Sequence, residues 1–286
     1  MQTNIFERIL VPISSEYFPI EAVKRAGELE EVFGSFIEIV YIIEEKTLKK
    51  IDEVAESVNT EYEREELKKE VTATGNFMAH SLIFKEANKF FKKEPEKKVL
   101  EGEFTNIIKE EVQRERITCI LMGFEKECML RYRLFEEVNI PIWVEMEGGK
   151  NIVLGICSNL SPNKKVPKVT FTLSKALGYE PYIIYIVDTS DRVEVDSEGR
   201  RSVKKPIDYL LRNGEEFVKK FEEKGIKTMV LHGSIEEKIG EIARELDAGL
   251  IVVGREKKRR KILGVFCRDV KKEITEKAGH SLLFLK

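Results

Sequence analysis

Residues 233–254 read GSIEEKIGEIARELDAGLIVVG, and residues 102–123 read GEFTNIIKEEVQRERITCILMG. In both stretches the opening and closing glycines are 21 positions apart. The first glycine opens a helix with apolar residues at helical spacing, and the second ends a short apolar strand. A unit written twice at the same spacing marks an internal repeat, which decides the fold before any single motif does.

Working outward, each half shows the same order. In the first, Ile9–Ile13 is an unbroken apolar run, as in a strand buried on both faces of a parallel sheet. The spacing predicts a helix over about 19–32 stopped by Gly34, a strand over 36–43, and a highly charged helical stretch from about 46 to 93. Gly75 is expected to interrupt that stretch and Pro95 to end it. A strand near 99–100, a helix over 105–116, a strand over 119–122, a short helix over 130–138 and a strand over 141–145 complete the half. The second half predicts strands at 152–156, 181–187, 227–231, 250–253 and 281–285, with helices at 166–177, 206–224, 235–246 and 265–277.

Alternating strands and helices imply parallel sheets with right-handed crossovers. The expected architecture is α/β, with two tandem doubly wound, mainly parallel five-stranded sheets flanked by helices, of Rossmann-like type. The domains are read as 1–147, carrying the long helical insertion, and 148–286, carrying a basic loop, joined through Glu147-Gly148-Gly149-Lys150.

Charge separates the two halves. The chain of 286 residues has a net charge of −2, but residues 1–147 carry 21 basic and 31 acidic side chains and residues 148–286 carry 28 and 20. The halves therefore sit at −10 and +8 and are expected to meet different partners. At 42% hydrophobic residues, the sequence can build real cores. No apolar run reaches membrane-spanning length, and the start lacks a signal-peptide pattern, so a cytoplasmic protein is expected. Cys119, Cys128, Cys157 and Cys267 form no CxxC pair, as befits a reducing compartment. Lys/Glu enrichment with only two glutamines, Gln2 and Gln113, is a thermophile-like composition.

In a doubly wound sheet, ligands bind outside the carboxyl ends of the strands, where strand order reverses. The loops to inspect follow the first and fourth strands of each copy. In the second copy these are Cys157-Ser158-Asn159-Leu160-Ser161-Pro162-Asn163-Lys164-Lys165, leading into a helix that carries Lys168, and Gly254-Arg255-Glu256-Lys257-Lys258-Arg259-Arg260-Lys261. Lysines at a helix amino terminus oppose its dipole and make sense beside a bound anion such as a phosphate. A Lys/Arg run alone is usually a solvated face; two separate runs at one expected crevice point to an anion site. The first copy's loops, Ser14–Pro19 and Gly123–Cys128, are not basic, so that domain is expected to serve structure or docking.

The remaining chemistry is sparse. His80, His232 and His280 form no constellation, and HExxH, GxSxG, GxGxxG and Walker A patterns are absent. No nucleophile–base pair or metal site is expected, and the expectation is a non-enzymatic protein. The basic run at 257–261 is short and lacks neighbouring aromatic residues, which argues against nucleic-acid binding.

With these elements in place, the sequence resembles a tandem universal stress protein. Ile9-Leu10-Val11-Pro12-Ile13 matches the family's ILVPxD pattern, with Ser14 at the Asp position; in the second copy Ile152–Ile156 is followed by Cys157 there. The GxxxxxI turn-plus-helix is matched by Gly102…Ile108 and Gly233…Ile239, and the strand ending in glycine by Leu121-Met122-Gly123 and Val252-Val253-Gly254. The resemblance implies an adenine-nucleotide α-hydrolase-like fold, a regulatory stress-response role, an internal pseudo-dimer of the two domains, and ATP or AMP as candidate ligands. Homo-oligomers are a further expectation. The phosphate-wrapping glycines beyond Gly254 are replaced, the second by Lys257, with Arg268 in the terminal pair. Their loss removes close backbone approach to a phosphate and argues against tight family-style ATP binding. The candidate binding residues are Cys157, Ser158, Lys164, Lys165, Lys168, Gly254, Arg255, Lys257, Arg259, Lys261 and Arg268. The alternatives are a protein–protein interaction module without a small ligand, and an enzyme of the wider α-hydrolase-like group.

Overall fold

The computed structural model of the chain describes residues 5–15, 17–44, 61–124, 129–161, 164–196, 198–254 and 279–286. The chain divides into two compact units, Met1–Glu145 and Met146–Lys286.

The first unit runs β1 (Arg8–Ser14), α1 (Ile20–Phe33), β2 (Phe36–Glu44), α2 (Glu61–Met78), a π-helical turn at Ala79–Ile83, and α3 (Phe84–Ala87). It continues with β3 (Glu96–Gly102), α4 (Phe104–Arg114), β4 (Cys119–Gly123), α5 (Met129–Glu137) and β5 (Ile142–Glu145). Its strands lie in the order β3-β2-β1-β4-β5, all parallel. The second unit runs β6 (Lys150–Ser158), α6 (Lys165–Leu177), β7 (Glu180–Asp188), α7 (Ile207–Glu222), β8 (Lys227–Gly233), α8 (Ile235–Leu246), β9 (Ala248–Gly254) and β10 (Ser281–Leu285). Its order is β8-β7-β6-β9-β10, again parallel. Both units are doubly wound, and in each the strand order reverses between the first and fourth strands.

The central strands are apolar because both faces are covered. β1, β4 and β9 are buried almost throughout, and Ile9, Leu10, Cys119, Ile120, Leu250 and Ile251 are at most 1% exposed. The repeat glycines have a backbone reason: Gly102 and Gly233 sit at φ +150° and +139°, and a Cβ at either would press on a side chain five residues ahead, Ile107 or Lys238. Gly34 ends α1 at φ +67°, with its N–H bonded to the Glu30 carbonyl at 2.8 Å.

The insertion departs from expectation. α2 passes unbroken through Gly75, where a Cβ would fall 2.7 Å from Ile43 Cδ1, so this glycine lets the helix lie on the end of β2. The irregularity comes later, in the π-helical turn, where the Ser81 hydroxyl donates back to the Phe77 carbonyl. The stretch expected to be helical over 46–60, the helix expected over 265–277 and the basic segment 255–261 lie outside the described residues.

Candidate functional site

Ladder register decides which residues are equivalent in the two crevices. Ile9 pairs with Cys119 on β4, four residues before Gly123; Val153 pairs with Leu250 on β9, four residues before Gly254. Ile9 therefore corresponds to Val153, and Ser14 to Ser158. Both copies carry a serine at the Asp position. The expectation that Cys157 stands there is corrected by one residue: Cys157 matches Ile13 and, like it, is fully buried. Cys157 also pairs in register with Tyr185, whose ring packs on Phe217 of α7 at 5.2 Å, so its thiol belongs to the core under that helix. Burial pushes the thiol well above its ordinary range.

The second crevice is built by a chain of hydrogen bonds from the β6 loop. Ser158 Oγ accepts from the Leu160 N–H at 3.2 Å and lies 3.4 Å from Ser161 Oγ. Asn159, 2% exposed, accepts from the Asp188 N–H at 2.7 Å and donates to the Asp191 and Val193 carbonyls at 3.2 and 2.7 Å. Its own carbonyl accepts from the Val195 N–H at 2.9 Å. One amide thus fixes the loop after β7 as a wall beside the loop after β6. Asp188 finishes that wall, accepting from the N–H groups of Ser190 and Asp191 at 2.9 and 2.7 Å. Burial raises its carboxyl above the ordinary range, against the pull of the N–H groups of Asp191, Ile235 and Ser190, with Glu236 adding to the rise. Sequence reasoning missed Asn159 and Asp188. Their signal was present: a buried amide and acid at strand ends, each able to hold backbone of the other's loop.

Three cations gather at the start of α6. Lys164 is its N-cap residue and makes no side-chain capping bond, and the first turn carries no acid. Lys164, Lys165 and Lys168 are all exposed. Lys165 Nζ donates to the Lys286 carbonyl at 3.1 Å. Lys164 and Lys168 make no ion pair among the described residues. Arg255, Lys257, Arg259, Lys261 and Arg268 lie outside those residues.

The glycines ending the fourth strands expose the contrast between copies. A Cβ on Gly123 would fall 2.5 Å from Pro19 Cβ and 3.1 Å from the Tyr17 ring, so these side chains fill the first crevice. At Gly254 the nearest described atoms, Ser161 Oγ and Val166 Cγ2, stand at 3.8 Å. Ser14, whose carbonyl accepts from the Tyr17 N–H at 3.2 Å, is buried, and its hydroxyl finds no hydrogen-bond partner among the described residues.

Elsewhere in the first unit Glu38, Glu111 and Glu115 converge, with Lys98 Nζ among them at 3.1, 3.2 and 2.8 Å. The place a metal cation would take is held by an ammonium. No helix among the described residues is long and apolar enough to cross a membrane.

The universal stress protein family model matches residues 5–139 and 150–286. No curated protein matches the chain by sequence. Among solved structures, a universal stress protein from Archaeoglobus fulgidus DSM 4304 is similar with a TM-score of 0.67 at 15% identity, over 99% of this chain and 98% of that one. A putative universal stress protein from Pseudomonas aeruginosa UCBPP-PA14 gives 0.67 at 14%, over 98% and 93%. A functionally unknown protein from Pseudomonas aeruginosa PAO1 gives 0.65 at 14%, over 98% and 92%. These likenesses carry the fold.

Proposed function

Because the chain belongs to the universal stress protein family through two matched segments covering most of its length, we propose that it is a tandem regulator with a single working crevice, which binds a phosphorylated anion. The carrying observation is the contrast between Gly123, covered at 2.5 Å by Pro19, and Gly254, whose nearest described neighbour is 3.8 Å away. Lys164 and Lys168, at the start of α6 where the N-cap side chain makes no capping bond, supply positive charge beside it. The anion is the phosphate of a nucleotide such as ATP or AMP, or of another phosphorylated small molecule.

The role is binding rather than catalysis. The polar groups of this crevice are spent on holding loops: Asn159 and Asp188 both bond to main chain, and Ser158 accepts from Leu160. Buried free thiols at Cys119 and Cys157 support a reducing, cytoplasmic setting.

Isothermal titration with ATP, AMP and inorganic phosphate at two salt concentrations tests this reading. Binding is expected to weaken with salt and to fall at least about tenfold in a Lys164→Glu, Lys168→Glu variant, corresponding to about 1.4 kcal/mol. Absence of binding in the wild type, or equal binding by the variant, removes the anion site.

A further inference from the structure

Near the amino-terminal end of the first sheet, away from the crevice, Glu38 of β2 is fully buried and pairs in register with Leu10 of β1 and Glu96 of β3. The charged groups around it are Glu96 and Lys98 from β3, Glu111 from α4 and Glu115 just beyond α4, with Arg8 of β1 and Arg114 of α4 paired to those acids. Lys98 Nζ lies 3.1 Å from Glu38, 3.2 Å from Glu96, 3.2 Å from Glu111 and 2.8 Å from Glu115. Its hydrogen bonds, however, go to Glu111 and Glu115. Neither Glu38 oxygen has an aligned donor among the described residues.

Charge is balanced without Glu38. Glu111, 1% exposed, is also paired with Arg114, and Glu115 is paired with Arg114 at 3.2 Å and Arg8 at 3.6 Å. Lys98, Arg8 and Arg114 thus face Glu96, Glu111 and Glu115, and a fourth carboxylate would be an uncompensated charge in a dry interior. As a neutral acid, Glu38 instead has a proton to offer toward Glu111, whose carboxylate lies within 4.8 Å of its own.

We propose that Glu38 is a proton-operated latch on the β3 edge of the first domain: protonated, it ties β2 to α4 through Glu111, and on losing its proton it loosens β3 and the end of α4. Its carboxyl is pushed up to about 7, first by burial and then by the neighbouring Glu111 carboxylate, against the pull of Lys98. The folded value lies above the ordinary 4.5, so the latch's contribution to stability is complete below about pH 4.5 and is lost as the pH rises to about 7.

Hydrogen exchange of the full chain, corrected for intrinsic rates and compared at about pH 6 and about pH 8, tests the latch. Opening around residues 96–102 and 108–115 is expected to rise about tenfold between those values in the wild type and to stay level in Glu38→Gln, which keeps a neutral donor. An equal change in both proteins, or none in the wild type, overturns the proposal. Infrared spectroscopy of the wild type provides a measurement that does not depend on the variant folding. A protonated-carboxyl band present at about pH 6 and gone by about pH 8 supports the latch, and absence of the band at the lower pH refutes it.

Discussion

At the scale of single residues, the first domain spends buried charge where the second spends amides. Glu145, 6% exposed in its side chain, accepts from Arg25 Nε and Nη2 at 3.1 and 3.0 Å and from Trp143 Nε1 at 2.5 Å. Burial raises its carboxyl above the ordinary range, while Arg25 and Trp143 oppose the rise. Removing the guanidinium leaves a buried acid without its counter-charge. Arg25→Ala is therefore expected to destabilise the first domain by about 3–5 kcal/mol. The chain's single tryptophan, Trp143, is fully buried beside this pair, so its fluorescence in a urea titration reads that loss directly. In the second domain the corresponding work of fixing loops falls to Asn159, whose amide makes three hydrogen bonds. Asn159→Ala is expected to cost at least about 1–3 kcal/mol, because it orphans the Asp188 N–H and two carbonyls. A loss no greater than that of an exposed substitution would sink that account.

Elements show what the sequence made legible. The opening glycines of the two repeat units, Gly102 and Gly233, lie on equivalent turns at positive φ, and the parallel pairing of the strands follows from alternation. Gly75 reads as a break because it lies within a polar helical run, whereas its reason is the side chain of Ile43, distant in sequence. The one-residue error at Cys157 has a similar cause: two apolar runs can be slid past each other, and only ladder partners pin them. The crevice was legible as loops, but Asn159 and Asp188 acquire their roles from one another and so were not. Gly27 offers a test of such long-range reasons. A Cβ there would fall 2.1 Å from the Phe90 carbonyl oxygen, where the end of the insertion rests on α1. Helix propensity alone makes Gly27→Ala stabilising by about 1 kcal/mol; the clash is expected to reverse the sign, measurable as a lowered Tm.

For the whole molecule, the two repeats share an architecture but not the described surroundings of their strand-ending glycines. The halves carry −10 and +8, share one strand order and one register, and differ, among the described residues, in what stands over the glycine ending the fourth strand. A binding signal confined to one half is the expected outcome: saturating phosphate protects the backbone around 158–168 from hydrogen exchange and leaves 14–23 unchanged. Protection of both stretches would mean that Tyr17 and Pro19 yield to a ligand. The shared register also makes the two loops interchangeable parts. Since Ser14 and Ser158 occupy the same rung, a transplant beginning at these serines carries the lysines of α6 onto the other scaffold in register, whereas one begun at Cys157 would put that buried thiol on the serine's rung and displace the whole loop by one residue.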